Sequence, residues 1–458
     1  MSYTSLNPYS GEVLLSVPDA TDAEIDAALE TAHASYLRWR ATPIAERVAV
    51  LARAAELVKE RRVELGRLST LEMGRLLGES LREVDISQSI FDYYAENAEH
   101  LLKPKPVATV AGEAEVHFDP LGIVFAVEPW NAPFYQVVRV LAPQIAVGNA
   151  VILKHANIVP QCAQALSQLM LDAGLPEGVF TNVYATHAQS ERIIADERVR
   201  GVTLTGSETA GSIVAAQAGA ALTKSVLELG GSDAMIVLED ANLDLTVTCA
   251  AMGRMAQSGQ ICISPKRIIV VDSRYDEFLE RYRLALSGLR GGDPLAEETT
   301  VGPLSSRAAA ERVKEQLRRA VDHGATLIEV GEPVPDIPTF VQPTILTGVE
   351  RNNPIYYEEI FGPVPMVFRV ADEAAALELA NDSPFGLAGS VYSEDVAHAQ
   401  EVAKRIETGM VWINTPPGTT PDLPFGGIKR SGYGHELGEA GLKEFANQKL
   451  IVTPQRLE

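Results

Sequence analysis

Residues 121–133 read LGIVFAVEPWNAP. The first seven form a short β-rich run, and Pro129 to Pro133 make a strand-to-helix turn. The same pattern continues along the chain. NAVIL at 149–153, VFTNVY at 179–184 and GVTLT at 201–205 are β-rich, and stretches such as 160–172 and 207–219 read as helix. Strands alternating with helices predict βαβ units and a parallel sheet. The alternation resumes at 234–238 (AMIVL), 267–271 (RIIVV), 386–391 and 410–413. The two α/β units meet at Gly230-Gly231.

The flanks differ. Upstream, Ile44, Val48, Leu51, Ala55 and Val58 step by three and four behind Pro43, which predicts an amphipathic helix. Residues 103–119 break this pattern. Pro104 and Pro106 block helix, and the runs Val107–Val110 and Glu113–Phe118 around Ala111-Gly112 predict an exposed β-hairpin.

Composition narrows the function classes. The chain has 458 residues, 46% hydrophobic and 22% charged, which fits a soluble globular protein of two or three domains. Its 39 basic and 61 acidic residues give a net charge of −22. Nucleic acid and anionic membranes are therefore poor partners, and an anionic substrate needs a local cation. No apolar run reaches the roughly 18 residues of a membrane helix, and no signal peptide is visible. The three cysteines, Cys162, Cys249 and Cys262, form neither a disulfide framework nor a zinc cluster, and the eight histidines lack metal-ligand spacing. His435-Glu436 opens like a zinc-protease helix, but position 439 is Glu, so no metal is expected there. This pattern fits a reducing cytoplasm.

Four segments can carry chemistry. Cys262, after Gly259-Gln260-Ile261, is presented on a loop between helix and strand; it is either a nucleophile or a small buried hydrophobe. Glu228, between leucines and ahead of Gly230-Gly231, is a desolvated carboxylate suited to a general base, or a salt-bridged residue at a hinge. Asn131 can aim amide donors into a cleft at the end of a strand, or cap a helix. Gly206-Ser207 opens a helix whose N-terminus can accept a pyrophosphate.

Together these segments resemble the aldehyde dehydrogenase superfamily, over nearly the whole chain and in the family's order: PWN, LK, GS(x)3G, ELGG, GQxC, E-x-FGP and PFGG. LKHA, ELGGSD and the spacing to TLTGSE are most similar to the short succinate-semialdehyde dehydrogenase branch. The resemblance implies an α/β fold with a Rossmann-like cofactor domain (1–102 and 120–229), a catalytic α/β domain (230–430) and a small β-arm for oligomerisation (103–119 and 431–458). It implies a homodimer or tetramer.

It also implies roles. Cys262 is the nucleophile, Glu228 the general base, and Asn131 holds the oxyanion. Lys154 binds the adenosine ribose, and Gly206 and Ser207 approach the pyrophosphate. Glu359 and Phe361 contact the nicotinamide ribose and ring, and Trp130 lines the cofactor passage. The reaction implied is oxidation of an aldehyde to an acid through a cysteine thioester, with succinate semialdehyde as the aldehyde. Acylating, CoA-dependent relatives lack the carboxylate at Glu228, so this chain resembles the hydrolytic ones. Related readings are the same chemistry on glutarate semialdehyde, lactaldehyde or an aromatic aldehyde, or a non-catalytic scaffold.

Asn131, Tyr135 and Arg139 are spaced i, i+4, i+8, so a helix starting near Pro133 puts Tyr135 and Arg139 on one face. Arg139 is then a candidate clamp for a substrate carboxylate, or an arginine paired with a structural carboxylate. The loop 415–423 (TPPGTTPDL) would supply the opposite wall, with Thr419 at its middle. Phe134, Tyr135 and Phe425 would supply aromatic walls, although Phe134 reads equally well as core. NAD-preferring relatives carry Glu three residues after the lysine; here Asn157 stands there and repels no 2′-phosphate. NADP is the favoured cofactor, with NAD usable.

Overall fold

A computed structural model describes residues 3–454. One half of the molecule is built on a six-stranded sheet. Its order is Gly432–Tyr433, Lys224–Glu228, Val199–Thr205, Ile123–Glu128, Ala150–His155, Phe180–Asn182. Five strands run parallel, and the short edge strand Gly432–Tyr433 is antiparallel. Alternate side chains leave the sheet on opposite faces. Val151 and Leu153 meet helices Ile44–Glu60, Leu77–Leu101, Tyr135–Val147 and Pro160–Asp172. Phe125 and Ile152 meet helices Asp22–Trp39, His187–Ala195 and Glu208–Ala220. Both faces are covered, as a parallel sheet requires.

The chain then crosses Gly230-Gly231 into a seven-stranded sheet. Its order is Thr326–Glu329, Thr344–Thr347, Met366–Val370, Pro265–Val271, Asp233–Val237, Ala388–Tyr392, Met410–Ile413, parallel except for Thr326–Glu329. Among the described residues no helix is long and apolar enough to cross a membrane.

The hairpin departs from its expected form. Its first strand is Lys105–Pro106, and the partner is Glu113–Pro120. Val107–Val110 is not a strand: Val107 makes one backbone bond to Ala114, and the chain then leaves the sheet in a six-residue loop with Val110 fully exposed. The third strand of this sheet is Ala446–Thr453.

Residues 431–445, expected in the arm, lie instead against the first sheet. Gly432 pairs with Glu228 at φ 114°, and a Cβ there would sit 1.9 Å from the Leu227 carbonyl oxygen. Helix Gly438–Glu444 packs on helix Tyr135–Val147. Residues 455–458 of the expected arm fall outside the described residues.

Candidate active site

The loop carrying Cys262 is shaped by its backbone. Helix Leu243–Met255 ends in a turn where Gln257 (φ 52°), Ser258 (φ 53°) and Gly259 (φ 76°) are all left-handed. A Cβ at Gly259 would lie 2.0 Å from the Gly362 carbonyl oxygen, so only glycine fits. The strained turn is pinned from three sides. The Gln257 N–H donates to Glu79 (2.9 Å), and Ser258 Oγ donates to the Gly302 carbonyl (2.8 Å). Arg254, fully buried, donates to the Gly259, Ile360 and Val364 carbonyls and to Ser264 Oγ. It thus ties the Cys262 loop to the loop bearing Glu359 and Phe361.

Cys262 is half-buried at the junction of two cavities, of about 240 and 270 Å³. Asn131 and Gln136 line both cavities with it. Burial pushes the Cys262 thiol up to about 11, against the opposing pull of Lys266 and Arg139. Asn131 does not cap the following helix. That helix runs Tyr135–Val147, and Glu83 caps it by accepting the Phe134 (2.8 Å) and Tyr135 (3.2 Å) N–H groups. Asn131 Nδ2 donates to the Gln260 carbonyl (3.1 Å), and Oδ1 accepts from Gln136 (3.3 Å). Its second amide hydrogen is left for the cavity.

The first cavity opens at the carboxyl ends of adjacent parallel strands. Thr205 pairs in register with Glu228, and Val127 with Leu204, so Glu128, Thr205 and Glu228 end side by side. Glu228 is 2% exposed, and neither carboxyl oxygen has a hydrogen-bond partner. Burial and the Glu436 charge push its pKa well up, and Arg139 pulls it down. Glu128 is equally buried, without partners, and raised for the same leading reasons.

Trp130 and Phe361 face each other edge to face, with centroids 5.9 Å apart. Glu359 pairs with Lys266 (3.0 Å) and accepts the Gly231 N–H (3.2 Å). A Cβ at Gly230 would come within 2.4 Å of Glu359, so that glycine admits the carboxylate. Gly206 and Ser207 stand at the N-terminus of helix Glu208–Ala220, with Ser207 as N-cap. A helix N-terminus behind a glycine, in a cavity also lined by two aromatic rings, fits an anionic dinucleotide. Lys154 and Asn157 lie farther along the same sheet edge, outside this cavity. Lys154 Nζ is 5.5 Å from the Tyr3 ring centroid, burial lowers its pKa, and Asn157 is exposed.

The second cavity brings Tyr135, Arg139, Thr419 and Phe425 together. Tyr135 OH is 3.0 Å from Thr419 Oγ1, and Arg139 Nη1 donates to Tyr135 OH (3.3 Å). The Arg139 guanidinium lies 4.6 Å from the Phe425 ring centroid. Phe134 is buried in the core and lines neither cavity.

The expectation of Arg139 as a free carboxylate clamp needs correction. It is 1% exposed, ion-paired through Nε with Glu436, and donates Nη2 to Thr205 Oγ1 (3.0 Å). Burial alone would lower its pKa, but Glu436, Tyr135, Glu228 and Glu128 together more than offset this. Its charge is already opposed.

Sequence reasoning missed Glu83, Glu128, Lys266, Arg254 and Glu436. The signal for Lys266 was a charge in an apolar strand. Glu128 directly precedes Pro129-Trp130-Asn131. Glu436 was weighed only as part of a zinc-protease-like His-Glu pair.

Residues 1–451 match the Aldehyde dehydrogenase family, and the chain belongs to it, as its motifs implied. It is 49% identical to the succinate-semialdehyde dehydrogenase (NADP+) of Deinococcus radiodurans over 449 residues, 98% of this chain and 94% of the relative. The enzyme of the same name from Mycobacterium avium is 40% identical over 455 residues, 98% and 96% of the two chains. Among solved structures, succinic semialdehyde dehydrogenase from Streptococcus pyogenes, in complex with NADP+ as the cofactor, matches with a TM-score of 0.97 at 44% identity. That match covers 99% of this chain and all of the other.

Proposed function

We propose that this chain oxidises succinate semialdehyde to succinate with NADP as oxidant. The observation that carries the chemistry is that Cys262 and Asn131, at the junction of two cavities, share the first of them with an unpartnered Glu228. The substrate and cofactor are supported by the 49%-identical relative and the NADP+-bound structural neighbour.

Cys262 is the nucleophile. Its resting thiol is protonated, and that proton passes to water as the sulfur attacks the aldehyde carbon. Glu228 lines the same cavity, and its raised pKa suits it as the base that acts on water once the thioester has formed. The new C–S bond sends the carbonyl electron pair onto oxygen. That oxyanion accepts the free Asn131 amide hydrogen and the Cys262 backbone N–H, each donor typically contributing about 3 kcal/mol. The dinucleotide, when bound, supplies the hydride acceptor. Trp130, Phe361, Glu359, Gly206 and Ser207 would hold it, with Lys154 and Asn157 toward its adenosine end. Glu228 then takes a proton from water. The hydroxide adds to the thioester carbon, the C–S bond breaks, and Cys262 leaves as thiolate.

Tyr135, Arg139, Thr419 and Phe425 form the substrate wall. Arg139 acts there as a hydrogen-bond donor inside an ion pair, not as net charge. The exposed strand Ala446–Thr453, with Leu450, Ile451 and Val452 outward, supports pairing of the arm with further copies as a dimer or tetramer. Three unpaired cysteines suit a cytoplasmic enzyme.

The test is absorbance at 340 nm with succinate semialdehyde and butyraldehyde, each with NADP and NAD. The semialdehyde with NADP is expected to give the highest kcat/KM. Equal values for the two aldehydes would overturn the substrate; no turnover despite dinucleotide binding would overturn the chemistry.

A further inference from the structure

Among the described residues, three arginines line the substrate cavity: Arg75, Arg82 and Arg139. Two of them are buried and neutralised. Arg75 is ion-paired with Glu83, both side chains being under 5% exposed, and Arg139 is ion-paired with Glu436. Neither brings net positive charge to the cavity. Arg82 is exposed and has no hydrogen bond or ion pair.

Its position is set by the helix Leu77–Leu101. Glu79, Arg82, Glu83 and Ile86 are spaced i, i+3, i+4, i+7 and all line the cavity. That spacing is one face of a helix. Arg82 is therefore on the cavity-facing stripe. It also lines the open groove that adjoins the cavity past Pro417, which puts it at the mouth. Ser80 and Glu83 are the buried members of this turn, and Arg82 is the solvated one.

An anionic substrate approaching a chain of net charge −22 is repelled at long range. Glu79 adds to this locally: one of its oxygens holds the Gln257 N–H, and the other is buried without a partner. A carboxylate-bearing aldehyde entering with its carbonyl toward Cys262 trails its carboxylate toward the mouth. We propose that Arg82 captures that carboxylate there, as a specificity residue separate from the buried Arg139. An exposed guanidinium can offer two N–H groups to a carboxylate at once, which a lysine cannot. The proposal rests on the semialdehyde reading.

The experiment compares kcat/KM for succinate semialdehyde with that for butyraldehyde, in wild type, Arg82→Ala, Arg82→Glu and Arg82→Lys. Arg82 is exposed, so these variants should fold, and circular dichroism checks it. The expected result is a tenfold or greater fall of the semialdehyde-to-butyraldehyde ratio in Arg82→Ala. The fall should be larger in Arg82→Glu and partly recovered in Arg82→Lys. It should lie mainly in KM for the semialdehyde, with kcat moving less than threefold. A wild-type preference that survives Arg82→Ala and Arg82→Glu intact would overturn the role of Arg82 alone. A wild type with no preference would sink the substrate reading first.

Discussion

The cavity beneath Trp130 and the cavity beneath Tyr135 share Cys262 and Asn131, yet they treat buried charge in opposite ways. On the Trp130 side, walls come from strand ends, glycines and one face of helix Arg307–Asp322, and Glu228 keeps both oxygens free. On the Tyr135 side, walls come from helices and from the loops of Cys262 and Thr419, and the buried arginines are each locked to a glutamate. A buried polar group without a partner costs stability and persists where chemistry uses it. A paired one holds shape. The comparison assigns reaction to the first side and geometry to the second.

The largest expected effects should therefore come from the free groups. Glu228→Gln should lower steady-state turnover by about 10²–10⁴-fold, the usual worth of a general base. A rapid-quench or stopped-flow burst of reduced dinucleotide should be kept better than turnover, because hydrolysis needs the base at every cycle. Asn131→Ala should cost about 10²–10³-fold, and there the burst should slow as well, because the oxyanion forms before the thioester. If Glu228→Gln slowed burst and turnover equally, Glu228 would govern acylation and the division of labour between these two residues would fail.

The locked side should respond through stability. Arg139→Met strands Glu436 beside buried Glu128 and Glu228 with no opposing charge. Breaking a buried pair from one side typically costs about 3–5 kcal/mol. Urea unfolding should show a lower midpoint, and Arg139→Met with Glu436→Gln should recover part of it. Activity should fall for neutral and carboxylate-bearing aldehydes alike. A loss confined to the semialdehyde, with unchanged stability, would return the clamp to Arg139 and collapse the contrast with Arg82.

The same contrast explains what could be read from sequence. The reactive side is made of short contiguous segments: Pro129-Trp130-Asn131, Gly206-Ser207 and Glu228-Leu229-Gly230. Each carries its chemistry and its backbone requirement together, so spacing along the chain reveals it. The βα alternation was legible because both faces of each strand are buried, leaving apolar runs with no ambiguity of face. The shape-holding side is assembled across the fold. Nothing near Arg139 in sequence announces Glu436, and nothing near Glu83 announces its place under the Tyr135 helix. Val107–Val110 misled because its β-branched residues occupy a loop where no neighbour strand reaches them. The boundary at 431 misled because Gly432 docks on Leu227 only through the absence of a Cβ.

A smaller effect probes the nucleophile itself. With its thiol held up to about 11 by burial, Cys262 is mostly protonated at pH 7. Below that value the thiolate fraction rises about tenfold per pH unit. In the free enzyme, carbamidomethylation of the Cys262 peptide by iodoacetamide, followed by mass spectrometry, should rise steadily from pH 7 to 9 without a plateau. Lys266→Met should slow it further, because that ammonium favours the thiolate. A plateau near neutral pH would mean the free cavity stabilises the anion more than the Lys266 and Arg139 charges alone provide.

The smallest effect expected belongs to the periphery of the reactive side. Asn157 is exposed, so replacing it should leave folding alone. Asn157→Glu places a carboxylate where a 2′-phosphate would approach and where a 2′-hydroxyl could instead donate to it. Repulsion through partly exposed surroundings is worth roughly 1 kcal/mol, near a fivefold change in affinity. The ratio of KM for NADP to KM for NAD should thus rise about five- to tenfold, with kcat for either dinucleotide moving less. The change should shrink at high salt, since the two charges are solvated. If the ratio stays put, Asn157 does not face the phosphate. Dinucleotide choice would then rest on Lys154, whose half-buried ammonium at the end of its strand is the nearer charge to the sheet edge. Cofactor preference would in that case belong with the fixed, strand-end features of the reactive side and not with its adjustable rim.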